Sequence, residues 1–330
     1  MILPGTDPEA VARAAAALAA GDLVGLPTET VYGLAANAED DAAVQQVYAV
    51  KGRPADHPLI VHVIGVAEVA HFSDRVPDFA RRLMQALWPG PLTLILPRRA
   101  GVAAAAAGQN PTIGLRCPAH PVARALLDAC AAHGIRGLAA PSANRFGRVS
   151  PTTAQHVADE FGDGLLVLDG GACSVGIESA IVDCTRGAPV LLRPGHLTRE
   201  VLARAAGCPL RSPDALTAPD PRASGTLPAH YAPRARVRLM PVTQLRAALA
   251  VLGGDAGQIG VWARSSLTAY RHNCVLRRMP ADAATAAQEL FATLRAFDDA
   301  GVRLIWIETP PADPAWEGVL DRLQRAAVAG

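Results

Sequence analysis

The sequence predicts a mixed α/β protein in two parts. Three observations carry this. Short apolar or β-branched runs alternate with helical patterns across most of the 330 residues. A stretch dense in Pro, Ser, Ala and Asp, residues 208–236, breaks that rhythm without a period of its own and is too long for an ordinary loop. After it the alternation restarts for about ninety residues. Half the residues are apolar, enough for a sizeable core. The expected division is a first domain over 1–207, a linker or lid over 208–236 and a small α/β domain over 237–330.

The elements follow in order. PEAVARAAAALAAG (8–21) is a run of strong helix formers stopped at Gly21. DLVGLP (22–27) is a short buried strand. AEDDAAVQQVYAV (38–50) places acids in the first turn of a helix, where they suit the dipole. PLIVHVI (58–64) is a β-branched strand. VPDFARRLMQALW (76–88) is an amphipathic helix ended by Pro89-Gly90-Pro91. LTLILP (92–97) and TIGLRCP (112–118) are strands. HPVARALLDACAAHG (120–134) is a helix closed by Gly134, and GLAAPSAN (137–144) a strand running into a polar loop. LLVLDGG, AIVDC and VLLRPG add strands over 165–195. In the second part the strands are 237–242, 258–264 and 303–309, and the helices 243–253, 283–301 and 314–328.

Net charge is +1, so no global field points to nucleic acid or an acidic partner. The six cysteines are scattered without a C-x-x-C pair, which fits neither zinc ligation nor a secreted disulfide framework. They are expected as buried small hydrophobes. The first residues lack the basic-then-apolar order of a signal peptide. No run approaches the roughly 18 apolar residues that span a membrane. The expected location is the cytoplasm.

Lys51, in KGRP, is the only lysine; every other basic side chain apart from histidine is arginine. The polar residues of the first domain gather at element ends. Thr28, Glu29 and Thr30 follow a strand, Lys51, Arg53 and His57 a helix, and Ser142, Asn144 and Ser150 another strand. Arg116 and Arg193 end strands, Ser179 opens one, and His62 sits inside one. Open α/β sheets bind ligands in the crevice at strand carboxyl ends. One lysine and three arginines with several hydroxyls and few acids suit a polyanion such as a nucleoside triphosphate. Guanidinium groups grip phosphate oxygens in pairs, and an ammonium is a compact, mobile charge. The sequence holds neither a G-x-x-x-x-G-K-[ST] phosphate loop nor a G-x-S-x-G nucleophile.

PTETVYGL, KGRP with HPL after it, PSAN, SPT, ESAIVD and LLRPG occur in that order. Together they resemble the threonylcarbamoyl-AMP synthase family with its YrdC-like domain, over roughly residues 8–206. HYAP (230–233) and the second domain are similar to the long, two-domain form. The resemblance implies a YrdC-like twisted mixed sheet with flanking helices and a basic crevice, followed by a small Rossmann-like βα domain. It implies a nucleotidyltransferase that converts L-threonine, bicarbonate and ATP to threonylcarbamoyl-AMP, pyrophosphate and water. The product serves the threonylcarbamoyl modification of the adenosine beside the tRNA anticodon. Magnesium carried with ATP is expected, and so is a partner, the threonylcarbamoyl-transferase complex that uses the product, with tRNA met only indirectly.

By the same resemblance Lys51 and Arg53 are catalytic and meet the phosphates. His57, Thr112, Ser142, Asn144, Ser150 and Arg193 line the nucleotide side, and Tyr231 of HYAP belongs to a lid. Thr30, His62, Arg116, Ala140 and Ser179 form the threonine side. Glu29 is a general base or magnesium contact, or orients the loop. His57 stands where the family often has Asn, Ala35 where it has Gly, and Ala180 where it has Thr; these bear on affinity more than on reaction class. Three rivals are weighed: a stand-alone RNA-binding module, a hydrogenase-maturation carbamoyltransferase, and a regulatory paralogue that binds nucleotide without catalysis. The second would require C-x-x-C pairs and a much longer chain.

Overall fold

The computed structural model describes residues 1–213, 230–252, 258–267 and 274–329. Of the expected linker, 214–229 lie outside the described residues, as does Gly253, the last residue of the expected helix 243–253. The chain forms two compact units. One takes Met1–Phe146 and the chain from Ser150; the other takes Gly147–Val149 and the chain from His230 onward.

In the first unit the order is β1 (Ile2–Pro4), α1 (Pro8–Ala19), β2 (Val24–Leu26), β3 (Gly33–Asn37), α2 (Asp41–Lys51), β4 (Ile60–His62), α3 (Val69–Phe72), α4 (Asp78–Leu87), β5 (Leu92–Pro97) and β6 (Thr112–Arg116). Then come α5 (Pro121–Ala131), β7 (Leu138–Ala139), α6 (Ala154–Phe161), β8 (Leu166–Asp169), β9 (Ala180–Asp183), β10 (Val190–Arg193) and α7 (Arg199–Ala206). The strands form a ten-stranded mixed sheet, ordered β1-β8-β2-β3-β7-β4-β6-β5-β9-β10.

Local chemistry explains the helix ends. Asp7 caps α1 by accepting from the Glu9 N–H at 3.0 Å, and Pro8 occupies the first turn, where its missing N–H costs nothing. Asp40 caps α2 through the N–H groups of Ala42 and Ala43. Gly52, at φ 64°, stops α2 in the left-handed conformation that glycine adopts without strain. That stop makes Lys51 the last helical residue, where the helix dipole favours a cation.

Sheet alternation separates two faces. Val61, Leu94, Leu115 and Val182 pack with Val44 and Val47 of α2 and Phe79, Ala80, Leu83 and Met84 of α4 in one core. Burying each such side chain contributes roughly 1.5–3 kcal/mol. The alternate residues Ile60, His62, Gly114, Arg116, Thr93, Ile95 and Ile181 point the other way. This second face carries the polar residues.

The second unit contains β11 (Arg236–Met240), α8 (Val242–Leu252), β12 (Ile259–Ala263), β13 (Val275–Arg278), α9 (Ala283–Asp299), β14 (Leu304–Glu308) and α10 (Glu317–Val328). Its strands are all parallel, in the order β11-β14-β12-β13. β12, IGVWA, is buried at every position, as a parallel strand covered on both faces must be. Among the described residues no helix is long and apolar enough to cross a membrane.

Several elements differ from expectation. β1, β3, α3, α6, α7 and β13 were not anticipated. β3 reads GLAAN, small residues without strand preference, and is held as a strand by pairing with β2 and β7. β1 pairs with β8 at the far edge of the sheet. Cys208 is half-buried, whereas the other cysteines are buried as expected.

Candidate active site

The polar residues of the first unit do not all lie at strand carboxyl ends, as the parallel-sheet rule led us to expect. Thr112 opens β6, and Ser179 precedes β9. The reason is that the sheet is mixed; what the residues of its floor share is a face. His62 of β4 is in register with Arg116 of β6, Arg116 with Thr93 of β5, Thr93 with Ile181 of β9, and Ile181 with Arg193 of β10. A β-bulge between Leu191 and Arg193 shifts the register and brings Arg193 opposite Ile181. Bulges commonly re-aim a side chain in this way.

Arg116 is buried, with its guanidinium tied on one side. Nη1 donates to Thr30 Oγ1 and Nη2 to Glu29 Oε1, both at 2.7 Å. Glu29 Oε2 accepts the Ala119 N–H at 3.1 Å. Burial pushes the Glu29 carboxyl up, but the Arg116 charge and these hydrogen bonds outweigh it and hold the group below its usual value. Glu29 therefore orients the loop and anchors Arg116. Thr28 Oγ1 donates to the Val31 carbonyl at 2.6 Å, so its 2.8 Å bond with Thr30 uses the Thr30 proton. Thr30 thus accepts from Arg116 and donates to Thr28.

Beside this knot, Arg193 donates through Nε to the Ser179 carbonyl at 3.0 Å and through Nη2 to Ser179 Oγ at 3.3 Å. Ser179 Oγ also bonds Thr93 Oγ1 at 2.8 Å. Thr93 is a site residue that sequence reading missed. Its signal was faint: a hydroxyl in the apolar run LTLILP. His62 is buried, and burial followed by the Arg116 charge lowers its pKa to about 3, so the ring is neutral. Its Nδ1 and the Arg116 Nε are both buried without a hydrogen-bond partner. Buried polar atoms are nearly always paired, so two unpaired ones on register neighbours point to a ligand.

Lys51 lies in a different setting. Only 3% exposed, its Nζ donates to the Ser142 carbonyl at 2.5 Å and to the Asn144 carbonyl. The Phe146 N–H returns a 2.8 Å bond to the Lys51 carbonyl. Burial first, and the Arg53 charge second, lower its pKa to about 7, opposed by Glu160. Arg53 donates to the His57 carbonyl at 3.1 Å and to the Pro58 carbonyl at 3.0 Å, with its guanidinium 5.8 Å from the Phe146 ring centre. His57 meets the same ring edge-on, also at 5.8 Å.

The two groups are joined by backbone. Ser142 forms a bridge with Gly33, and the Ala143 N–H donates to the Tyr32 carbonyl at 2.8 Å, directly after the Thr28–Thr30 loop. Ala140, buried, donates its N–H to the Ile60 carbonyl at 3.0 Å. Ser150 donates to Glu178 Oε1 at 2.5 Å; Glu178, also buried, was not foreseen. Thr112 is on the same face of β6 as Arg116 and in register with Pro97. Tyr231 belongs to the second unit. Its backbone is left-handed, at φ 62°, and its ring is 5.3 Å from that of Phe291 and 5.7 Å from the Arg322 guanidinium carbon.

Fold and site define a class: a mixed-sheet α/β protein that gathers buried cations and hydroxyls in its first unit. Comparison with known proteins narrows it. A family profile described as "Telomere recombination", covering Sua5, YciO and YrdC, matches residues 16–195. One described as "Threonylcarbamoyl-AMP synthase, C-terminal domain" matches 197–328. The threonylcarbamoyl-AMP synthase of Pyrococcus abyssi is 35% identical over 320 residues, spanning 93% of this chain and 91% of that protein. That of Bacillus subtilis is 36% identical over 338 residues, spanning 98% and 94%. The crystal structure of P. abyssi Sua5 complexed with L-threonine matches with a TM-score of 0.88 at 33% identity, covering 98% of this chain and 95% of that one. The chain belongs to the threonylcarbamoyl-AMP synthase family.

Proposed function

We propose that the protein is an L-threonylcarbamoyladenylate synthase, a nucleotidyltransferase acting on ATP, bicarbonate and L-threonine. The observation that carries this reading is the pair of buried, unpartnered atoms, Arg116 Nε and His62 Nδ1, in a unit that also buries the ammonium of Lys51 at the end of α2. That the relatives are named as synthases favours an enzyme over a binding module.

On the amino-acid side, Arg116 offers Nε to the threonine carboxylate while Glu29 and Thr30 hold its other edge. Neutral His62, Thr30, Ala140 and Ser179 complete that pocket. The threonine amine attacks bicarbonate, forming the carbamate N–C bond as water leaves. A carbamate oxygen then attacks the α-phosphorus, and the bond to the β-phosphate breaks to release pyrophosphate. Lys51 uses two N–H groups on Ser142 and Asn144. A lysine ammonium has three, so the third meets a phosphate oxygen. Arg53 adds charge, and His57, Thr112, Ser142, Asn144, Ser150 and Arg193 line the nucleotide. Catalysis is then largely orientation and charge stabilisation. Magnesium would be carried in on the triphosphate oxygens, its usual ligands with a nucleotide substrate.

In this reading residues 1–207 are catalytic, 208–236 a lid that includes Tyr231, and 237–330 a domain that supports the lid. The product passes to a threonylcarbamoyl-transferase acting on tRNA, in the cytoplasm. The test is pyrophosphate release from protein, ATP, magnesium, bicarbonate and threonine. Release should vanish when threonine or bicarbonate is omitted; release independent of both would overturn the reading.

A further inference from the structure

The buried ammonium of Lys51 rests on the carbonyls of Ser142 and Asn144, and among the described residues no carboxylate forms an ion pair with it. Backbone carbonyls offer dipoles, not a counter-charge. A buried charge without a paired acid is costly, so something else must favour the charged form. The surrounding charges are unequal. Arg53, two positions on, adds a second positive charge, and Asp56 of the same loop acts on Tyr48. His57 meets the Phe146 ring edge-on. Among the described residues, the acid that acts on Lys51 is Glu160.

Glu160 stands half-buried in the last turn of α6. That end of a helix is negative and favours a cation, so helix chemistry does not explain an acid there. Its contacts do. Glu160 Oε2 accepts the Arg145 N–H at 3.3 Å. The Arg145 carbonyl accepts from Asn144 Nδ2 at 2.7 Å, and the Asn144 carbonyl accepts from Lys51 Nζ. The Phe146 N–H donates to the Lys51 carbonyl at 2.8 Å. Three consecutive residues, Asn144, Arg145 and Phe146, thus tie the end of α2 to the end of α6, all within the first unit. A displacement of the Arg145 N–H is passed to both carbonyl and amide contacts of Lys51 through covalent geometry.

We propose that Glu160 is a positioning residue for Lys51: through the Arg145 N–H it holds the turn on which the ammonium rests, and it supplies the negative charge which that seat lacks. This deepens the phosphate-binding role given to Lys51 above and rests on it. The electrostatics point the same way. Burial first and Arg53 second lower the lysine pKa to about 7, and Glu160 opposes both. An opposite charge near an ionisable group favours its charged form. Without Glu160, more of the lysine would be neutral when the nucleotide arrives.

The experiment compares the full chain with Glu160→Gln and Glu160→Ala. Glutamine keeps an acceptor for the Arg145 N–H and removes only the charge. Three quantities are read: the Lys51 pKa by magnetic resonance of the sole lysine, KM for ATP in pyrophosphate release at pH 6 and pH 8, and thermal unfolding. Glu160→Gln should lower the Lys51 pKa by about half a unit. KM for ATP should then rise about threefold at pH 8 and stay within about 1.5-fold of the parent at pH 6, where both lysines are mostly charged. Glu160→Ala, which also frees the turn, should raise KM for ATP at both pH values. A Lys51 pKa equal to the parent's in folded Glu160→Gln would overturn the inference. So would a rise in KM that is equal at pH 6 and pH 8 and tracks a loss of thermal stability. A parent chain without threonine-dependent pyrophosphate release would instead overturn the synthase reading, and the lysine titration would still decide whether Glu160 acts on Lys51.

Discussion

Arg116 and Lys51 are both buried cations of the first unit, yet they are kept in opposite ways. Arg116 lies on a strand with a carboxylate 2.7 Å away, so its charge is balanced before any substrate arrives. Lys51 ends a helix and rests on two backbone carbonyls, with its pKa lowered to about 7. The first arrangement builds a fixed, directional pocket suited to an amino acid. The second holds a charge at a cost that an incoming anion offsets. On the proposed function, the comparison separates recognition by geometry at Arg116 from recognition by charge at Lys51.

The largest expected effect comes from removing the uncompensated charge. Lys51→Met should lower the rate of pyrophosphate release by about 10²–10³-fold. Stability should change little, because relief of the buried charge opposes the loss of a donor to two carbonyls. Lys51→Arg should remain strongly impaired, since a planar fork cannot keep both carbonyl bonds and the phosphate contact. Full activity of Lys51→Arg would erase the distinction between the two cations.

Arg116→Ala should behave differently, losing threonine affinity and about 3 kcal/mol of stability together, because Glu29 is left buried and unpaired. Denaturant unfolding beside a threonine titration checks it, and a variant as stable as the parent would contradict the balanced-pair account. A smaller effect, about a tenfold rise in KM for threonine, should follow Ser179→Ala through the loss of one hydroxyl linking Thr93 and Arg193.

The smallest effect is one of pH. With the free-state pKa at about 7, ATP affinity should fall about fivefold from pH 7 to pH 8 if the ammonium is the binding form. Binding should take up protons, measurable by calorimetry in buffers of different ionisation enthalpy. For stability the sign is opposite. The unfolded chain, with an ordinary lysine, binds more protons between about pH 7 and 10.5, so this group's contribution to stability rises with pH across that window and its penalty is complete below it.

The loops of this site were legible in sequence because their chemistry is local. Lys51 stood out as the sole lysine, and PTET and PSAN as polar breaks after apolar runs. Partnerships across the chain were not. Glu29 meets Arg116 across 87 positions, and Ser150 meets Glu178 across 28; no pattern in either segment names its partner. Long helices such as α1 and α9 could be read because cap, period and stop agree. β3 could not, because GLAAN becomes a strand only through its neighbours. The role of Arg193 likewise depends on a bulge that its sequence does not announce.

The account turns on the ammonium of Lys51, and the composition makes that group measurable. Because the chain has one lysine, protein labelled with 13C at the lysine Cε gives a single lysine signal whose shift reports its protonation. Titration should give a pKa of about 7 without ligand, rising by two units or more, roughly, when magnesium-ATP is bound. A pKa near 10.5 that ATP leaves unmoved would contradict the account.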